Sequence, residues 1–183
     1  MRLFEWLFSE KASIDVGFSV AVLIDMQKAF VDKVENERRN TLIEAQISVI
    51  RYCVAKDVPL IVLEYLGQGT TIEELRSEYI DRVPRVTVIT RDEYDGFYRT
   101  ELERILDSLR ADSLLFMGIS ASCCVRHTAQ TAICKKFRVI TATDLIADGS
   151  NVVGNTSGTE RWFRNKCVLL PNSAMLFTAI AQQ

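Results

Sequence analysis

Histidine is almost missing from this chain: His127 stands alone among 183 residues. A metal site built on two or three imidazoles is therefore excluded at the start. No Cys-x-x-Cys pair occurs among the five cysteines, Cys53, Cys123, Cys124, Cys134 and Cys167, and their number is odd. A secreted disulfide framework usually shows an even set in a shorter chain, so a reduced, cytoplasmic setting is expected. An excess of one charge is absent too. The 22 Lys plus Arg against 24 Asp plus Glu leave a net charge of −2, with no long block of like charge. This argues against a nucleic-acid partner and against an anionic membrane surface. Val16 to Ile24 is the longest apolar run, well short of the roughly 20 residues a membrane span needs. The N-terminal stretch MRLFEWLFSEK is apolar but short, is interrupted by Glu5 and has no small-residue cleavage site. It makes a poor signal peptide. Residues 1–17 read instead as an arm whose residues 3–8 cover a core edge or a subunit contact. Lysine is scarce as well, 7 against 15 arginines.

What remains suits one globular domain. The length falls within the usual range of about 100–200 residues, and 48% hydrophobic residues are ample for a core. Neither internal repeats nor a linker occur, so residues 1–183 read as a single domain. Short apolar runs alternate with helical patterns. Ser19–Ile24, Leu60–Leu63, Val86–Ile89, Leu114–Met117, Val139–Ala142 and Cys167–Leu170 read as six strands. They lack alternation, as strands buried on both faces do. Thr41-x-x-Glu44 is a candidate capping box before Ile43, Ile47, Ile50 and Val54, which share one helix face. Thr71-x-x-Glu74 is expected to open a shorter helix. Leu102 to Leu109, Val125 to Ile133 and the segment after Asn172 supply three more. The polar stretch Asp148–Glu160 reads as a loop. Alternating strands and helices imply a three-layer α/β fold. Its centre is a mostly parallel six-stranded sheet, Rossmann-like, with helices on both faces.

Ligands of such folds bind beyond the carboxyl ends of the strands, which directs attention to Asp25, Glu64, Arg91, Gly118–Cys124 and Asp144. Cys124 falls where a strand gives way to a helix. Backbone N–H groups and the helix dipole there favour a thiolate and lower a thiol pKa. They can also hold an oxyanion. The plainer alternative is a buried cysteine packing a helix start. Asp25 closes the first strand and faces the same crevice. It reads either as a helix cap or as a base that takes the thiol proton and later returns it. Arg91 is a loop arginine or a fixed positive charge beside both. His127 sits three residues after Cys124, a spacing that rarely gives Cys–His catalytic geometry. The vicinal Cys123–Cys124 pair has no thiol or imidazole cluster beside it to suggest metal or redox work.

Three segments carry a resemblance. They are Asp25-Met-Gln27 with Phe30, Tyr94-Asp-Gly-Phe97 with Thr100 and Leu102, and Gly118-Ile-Ser-Ala-Ser-Cys-Cys-Val125 with Thr128 and Ala129. In this order, each after an expected strand, they resemble the isochorismatase-like cysteine hydrolase superfamily, which includes nicotinamidases and N-carbamoylsarcosine amidohydrolases. The likeness covers roughly residues 18–145, and Asp144 matches a recurrent acidic position. The resemblance implies a small-molecule amide or related C–N substrate hydrolysed through a thioester. It implies a triad of Asp25, Cys124 and, six residues before Phe97, Arg91. It implies a cis peptide at Ile119–Ser120 and an oxyanion hole from the Ser120 and Cys124 N–H groups. Gln27, Phe30, Tyr65, Tyr94 and Phe97 are expected to wall the pocket. No cofactor is implied, and a homodimer or homotetramer is.

Arg91 departs from the family, which has lysine there. Arginine keeps the charge but does not readily release a proton. The alternative reading is therefore a member that has lost turnover and acts as a binding or scaffold protein. Ala121 stands where threonine is usual. The stretch Glu64–Thr70, where nicotinamidases bind metal, has no histidine, so a metal-independent branch is expected.

Overall fold

The structure is a computed structural model, described for residues 16–149 and 156–182. The expectations for residues 3–8 and for the middle of the 148–160 stretch fall outside these. A parallel sheet forms the centre. Its strands are β1 (Val20–Ile24), β2 (Leu60–Tyr65), β3 (Val86–Arg91), β4 (Ser113–Ile119), β5 (Arg138–Ala142), β6 (Ile146–Ala147) and β7 (Val168–Leu170). They run in the order β3-β2-β1-β4-β5-β7, with the short β6 pairing only with β4. The sheet thus has one strand more than the sequence predicts. Two residues are too few to show a hydrophobic pattern.

The helices are α1 (Lys28–Val31), α2 (Asn36–Lys56), α3 (Glu73–Arg76), α4 (Leu102–Ser108), α5 (Arg126–Cys134), α6 (Thr156–Lys166) and α7 (Ser173–Ile180). Successive residues of β1 serve opposite faces, as strand geometry requires. Ala21 and Leu23 join a core with Leu42, Val49 and Ile50 of α2, Leu75 of α3 and Leu176 of α7. Val20, Val22 and Ile24 join the other, with Leu102 and Leu106 of α4, Ala129 of α5 and Phe163 of α6. This double coverage explains the continuous apolar runs. The outer strand β3 is the exception: Val86 and Val88 are 38% and 44% exposed. An edge strand lacks a neighbour on one side and here also lacks full cover.

Local differences from the sequence reading have simple causes. Helix α2 starts at Asn36, not near Thr41, because the Glu35 carboxylate accepts from the N–H groups of Glu37 and Arg38 and caps it earlier. Thr41 lies inside the helix, and its hydroxyl donates back to Glu37 O at 3.1 Å. Thr71 caps nothing; its N–H and hydroxyl both donate to the Glu64 carboxylate. The second half of the expected polar loop, from Thr156, is the start of α6. No helix among the described residues is long and apolar enough to cross a membrane.

Asp144, beyond the end of β5, is used by α7. Its carboxylate accepts from the Ser173 N–H at 2.8 and 2.9 Å and from the Ser173 hydroxyl at 2.7 Å, fixing the start of α7. Asp144→Ala is expected to cost about 1–2 kcal/mol of stability. The shift of the urea midpoint measures this.

Candidate active site

β1 turns to β2 on one side and to β4 on the other, so the sheet's order reverses at its middle. A crevice opens at such a point. Asp25 leaves β1 there with φ +52, in the left-handed region that a side chain rarely adopts. Its N–H donates to Leu63 O at 3.0 Å, and this bond helps hold the conformation. Arg91 ends β3 in register with Tyr65 of β2, and its side chain reaches Asp25 past the end of that strand. Cys124 sits on a π-helical turn, Ala121–Val125, that follows β4 and runs into α5. The Ile119–Ser120 peptide between them is cis.

The three side chains meet. Arg91 Nη2 donates to Asp25 Oδ2 at 2.7 Å, and its Nη1 donates to the Glu93 carbonyl. Cys124 lies beside the Asp25 carboxylate and interacts with it through its thiol. Asp25, Arg91 and Cys124 are only 1%, 3% and 6% exposed. Asp25 Oδ1 and Arg91 Nε have no other well-formed hydrogen bond. One carboxylate oxygen is thus committed to the cation, and the other is left for a proton in transit.

Electrostatics correct one expectation. Burial raises the Cys124 thiol to about 12, and the Asp25 charge adds to this against the pull of Arg91. Burial and the adjacent carboxylate favour the thiol form of the resting sulfur, against the expected lowering at a helix start. Burial also raises Asp25, while Arg91 and the thiol partly oppose it. A base of raised pKa beside a thiol is the pairing that shared proton transfer requires. Burial likewise pushes Cys53 and Cys167 up to about 12, as for packing residues.

A network of hydroxyls fastens this arrangement. Thr128 Oγ1 donates to Cys124 O at 2.8 Å and accepts the Gly96 N–H at 2.9 Å. Thr131 Oγ1 donates to Asp95 Oδ2 at 2.7 Å. Together they stitch the Tyr94–Phe97 segment, and hence the end of β3, to the helix behind Cys124. Neither threonine's role is visible in the sequence alone, although Thr128 belongs to the third motif. The turn's own N–H groups of Cys123 and Val125 both donate to Ser120 O at 3.1 Å. Neither of these bonds uses the N–H of Ser120 or Cys124.

Of the expected wall residues, Phe30, Tyr65 and Tyr94 stand in a row, the first pair T-shaped and the second tilted. Ring centroids are 6.2 Å apart for Phe30 and Tyr65 and 6.5 Å for Tyr65 and Tyr94. The Arg91 guanidinium lies 5.4 Å from the Tyr65 ring. His127 extends the row, 6.1 Å from Tyr94, and its Nδ1 bonds Cys123 O at 2.8 Å. Two expected wall residues do other work. Gln27 is fully buried, donates to Tyr65 O and Gly69 O, and accepts the Tyr65 N–H, so its amide ties down the end of β2. Phe97 stacks on Phe137 at 6.2 Å in the second core. Glu64, at the position of the nicotinamidase metal stretch, spends Oε1 on Thr71 and on Arg76 at 3.4 Å. The residues there do not fit a metal ion. Among the described residues no group of three or more His, Cys, Asp or Glu is placed to hold one.

Comparison with known proteins bears on the family and the fold. A family model described as the isochorismatase domain matches residues 19–161. N-carbamoylsarcosine amidase from an Arthrobacter species is 43% identical over 61 residues, which make up 33% of this chain and 23% of that protein. The matched stretch therefore spans under a quarter of that relative's length. An isochorismatase-like hydrolase from Alkaliphilus metalliredigens superimposes with a TM-score of 0.73 at 18% identity, covering 90% of this chain and 99% of that one. N-carbamoylsarcosine amidase from Thermoplasma acidophilum gives 0.66 at 22% identity, covering 84% and 95%. At these identities the two structures speak for the fold.

Proposed function

The chain belongs to the isochorismatase family, and on that premise we propose that it is a metal-independent cysteine hydrolase of a small amide or related C–N substrate. The observation that carries this reading is the buried contiguity of Arg91, Asp25 and Cys124, with one Asp25 oxygen free of other bonds.

Cys124 Sγ attacks the substrate carbonyl carbon while Asp25 takes the thiol proton. The carbonyl electrons move to oxygen, which the N–H groups of Ser120 and Cys124 receive. The tetrahedral adduct collapses, the C–N bond breaks, and Asp25 returns the proton to the leaving nitrogen. A thioester remains. Asp25 then deprotonates a water, which attacks the thioester and releases the acid, and Cys124 recovers its proton. Arg91 holds the Asp25 carboxyl group oriented throughout and favours its charged form between proton transfers. Phe30, Tyr65 and Tyr94 form the wall against which a small planar group packs. The reaction calls for no redox partner and no nucleic acid. Assembly into a dimer or tetramer accompanies the family reading.

The pH profile tests the role of Asp25. The base must be a carboxylate, so activity falls as pH drops through its pKa. Because burial raises that pKa, the acid limb of kcat/KM is expected above the ordinary carboxylate range. Asp25→Asn should remove the limb and lower kcat/KM by about 10²–10⁴-fold across small amides, ureides and carbamoyl compounds. An acid limb unchanged by Asp25→Asn would contradict the assignment.

The same ion pair carries a second reading. Arg91 replaces a group that can release a proton, and it occupies one whole side of the base. A chain locked in this way binds its substrate without turnover. Arg91→Lys separates the two readings. Measurable wild-type hydrolysis that this change leaves equal or lowers supports the enzyme, a gain of about 10-fold or more supports the locked form, and no hydrolysis in either form contradicts the hydrolase reading.

A further inference from the structure

The nucleophile turn has a support that belongs to no motif. Asp148 follows β6, which pairs with the end of β4 in the register Gly118↔Ile146 and Ile119↔Ala147. One residue further along, this register sets Asp148 beside Ser120. A single oxygen, Asp148 Oδ1, accepts from the Ser120 hydroxyl, from the Ser122 N–H at 2.9 Å and from the Ser122 hydroxyl at 2.8 Å. Ser120 is therefore held at both ends: its carbonyl receives the N–H groups of Cys123 and Val125, and its side chain is tied to Asp148.

We propose that Asp148 is a positioning residue for the oxyanion hole. It acts through Ser120 and Ser122 and touches no reacting atom. The inference rests on the reading of Cys124 as nucleophile. Its physical basis is the narrow tolerance of such a site. Donors must lie about 2.7–3.1 Å from the developing oxyanion, and a displacement near 1 Å can cost about 10²-fold in rate. The Ser120 peptide supplies one proposed donor, so whatever fixes that peptide fixes the hole. Three donors on one carboxylate oxygen leave little play, and charge-assisted bonds are the stiffer kind.

A cavity of about 440 Å³ adjoins the turn, lined by Ala121, Asp148, Arg38 and Phe163 among others. Water entering there can satisfy the serine hydroxyls and the Ser122 N–H when the carboxylate is removed. A variant should therefore keep its fold and lose only the accuracy of the turn.

The test compares two reactions of the same sulfur. Alkylation of Cys124 by iodoacetamide, followed by peptide mass, displaces iodide at a saturated carbon and develops no oxyanion. Hydrolysis of the best small amide of the panel requires one. Asp148→Ala is expected to lower kcat by about 10–100-fold. KM should stay within about 3-fold and the alkylation rate within about 2-fold. Asp148→Asn keeps an accepting oxygen, so it should recover part of the loss. It also decides the matter should the alanine variant not fold, with kcat then reduced and alkylation unchanged. The proposal is overturned if kcat stays at the wild-type level, or if alkylation and turnover fall together, as a purely structural role requires. Failure of the wild type to hydrolyse any member of the panel would instead overturn the nucleophile reading, and this inference with it.

Discussion

Cys124→Ser is expected to lower amide hydrolysis by about 10⁴-fold or more, with the fold intact. The size of the effect follows from acidity. Asp25 takes its proton from a thiol that burial has raised to about 12. An aliphatic alcohol is far less acidic than any such thiol, so the same carboxylate has no driving force to deprotonate it. The serine hydroxyl is also smaller than the thiol, which lengthens the path to the carbonyl carbon. Stability should change little, because the hydroxyl can still donate to Asp25. Initial rates on the amide and ureide panel, read beside the melting temperature, check both halves. A serine variant within about 10-fold of wild type would mean that the sulfur is not the nucleophile.

Gly118→Ala is expected to be the most damaging single-methyl change in the chain. Gly118 has φ +136, and a Cβ built on it would lie 2.0 Å from Ile24 O and 2.8 Å from Ile24 C and N. These are backbone atoms of the neighbouring strand, paired in register with Gly118 itself. No side-chain rotation relieves such a clash, so β1 and β4 must separate at their ends. The cost is expected at about 3–5 kcal/mol, read as a lowered urea midpoint. Activity should be lost even at temperatures where the variant is folded. Ile24 immediately precedes Asp25, and Gly118 precedes the Ser120 peptide by one residue, so the displacement reaches both the base and the oxyanion donors. A variant of wild-type stability would show that β1 and β4 do not approach as described.

Much of this organisation is legible in the sequence because it depends on local pattern. A strand covered on both faces must be apolar throughout, and β1, β2 and β4 announce themselves in that way. Asp25, Arg91 and Gly118 can be placed because each stands at the end of an expected strand, where a parallel sheet gathers its ligands. The missed features depend on partners distant along the chain. β6 has two residues and exists only because β4 offers an edge at Gly118 and Ile119. Asp148 acquires its role through that pairing and lies 26 and 28 residues from the serines it binds. Gln27 resembles a pocket residue by its motif, yet its amide matches the backbone groups of Tyr65 and Gly69 and is used there. The thiol pKa is the clearest case. The helix start is visible in the sequence and favours a thiolate. The desolvation and the Asp25 charge that raise the thiol are properties of three-dimensional burial.

Covalent trapping tests the central claim most directly. The enzyme is quenched in acid during turnover of the best substrate from the panel, digested, and examined by peptide mass. The expected result is an acyl adduct on the Cys124 peptide that is absent from Cys124→Ser and reduced in Asp25→Asn, which lacks the base for its formation. Steady hydrolysis with no adduct on Cys124, continuing unchanged in Cys124→Ser, would contradict it.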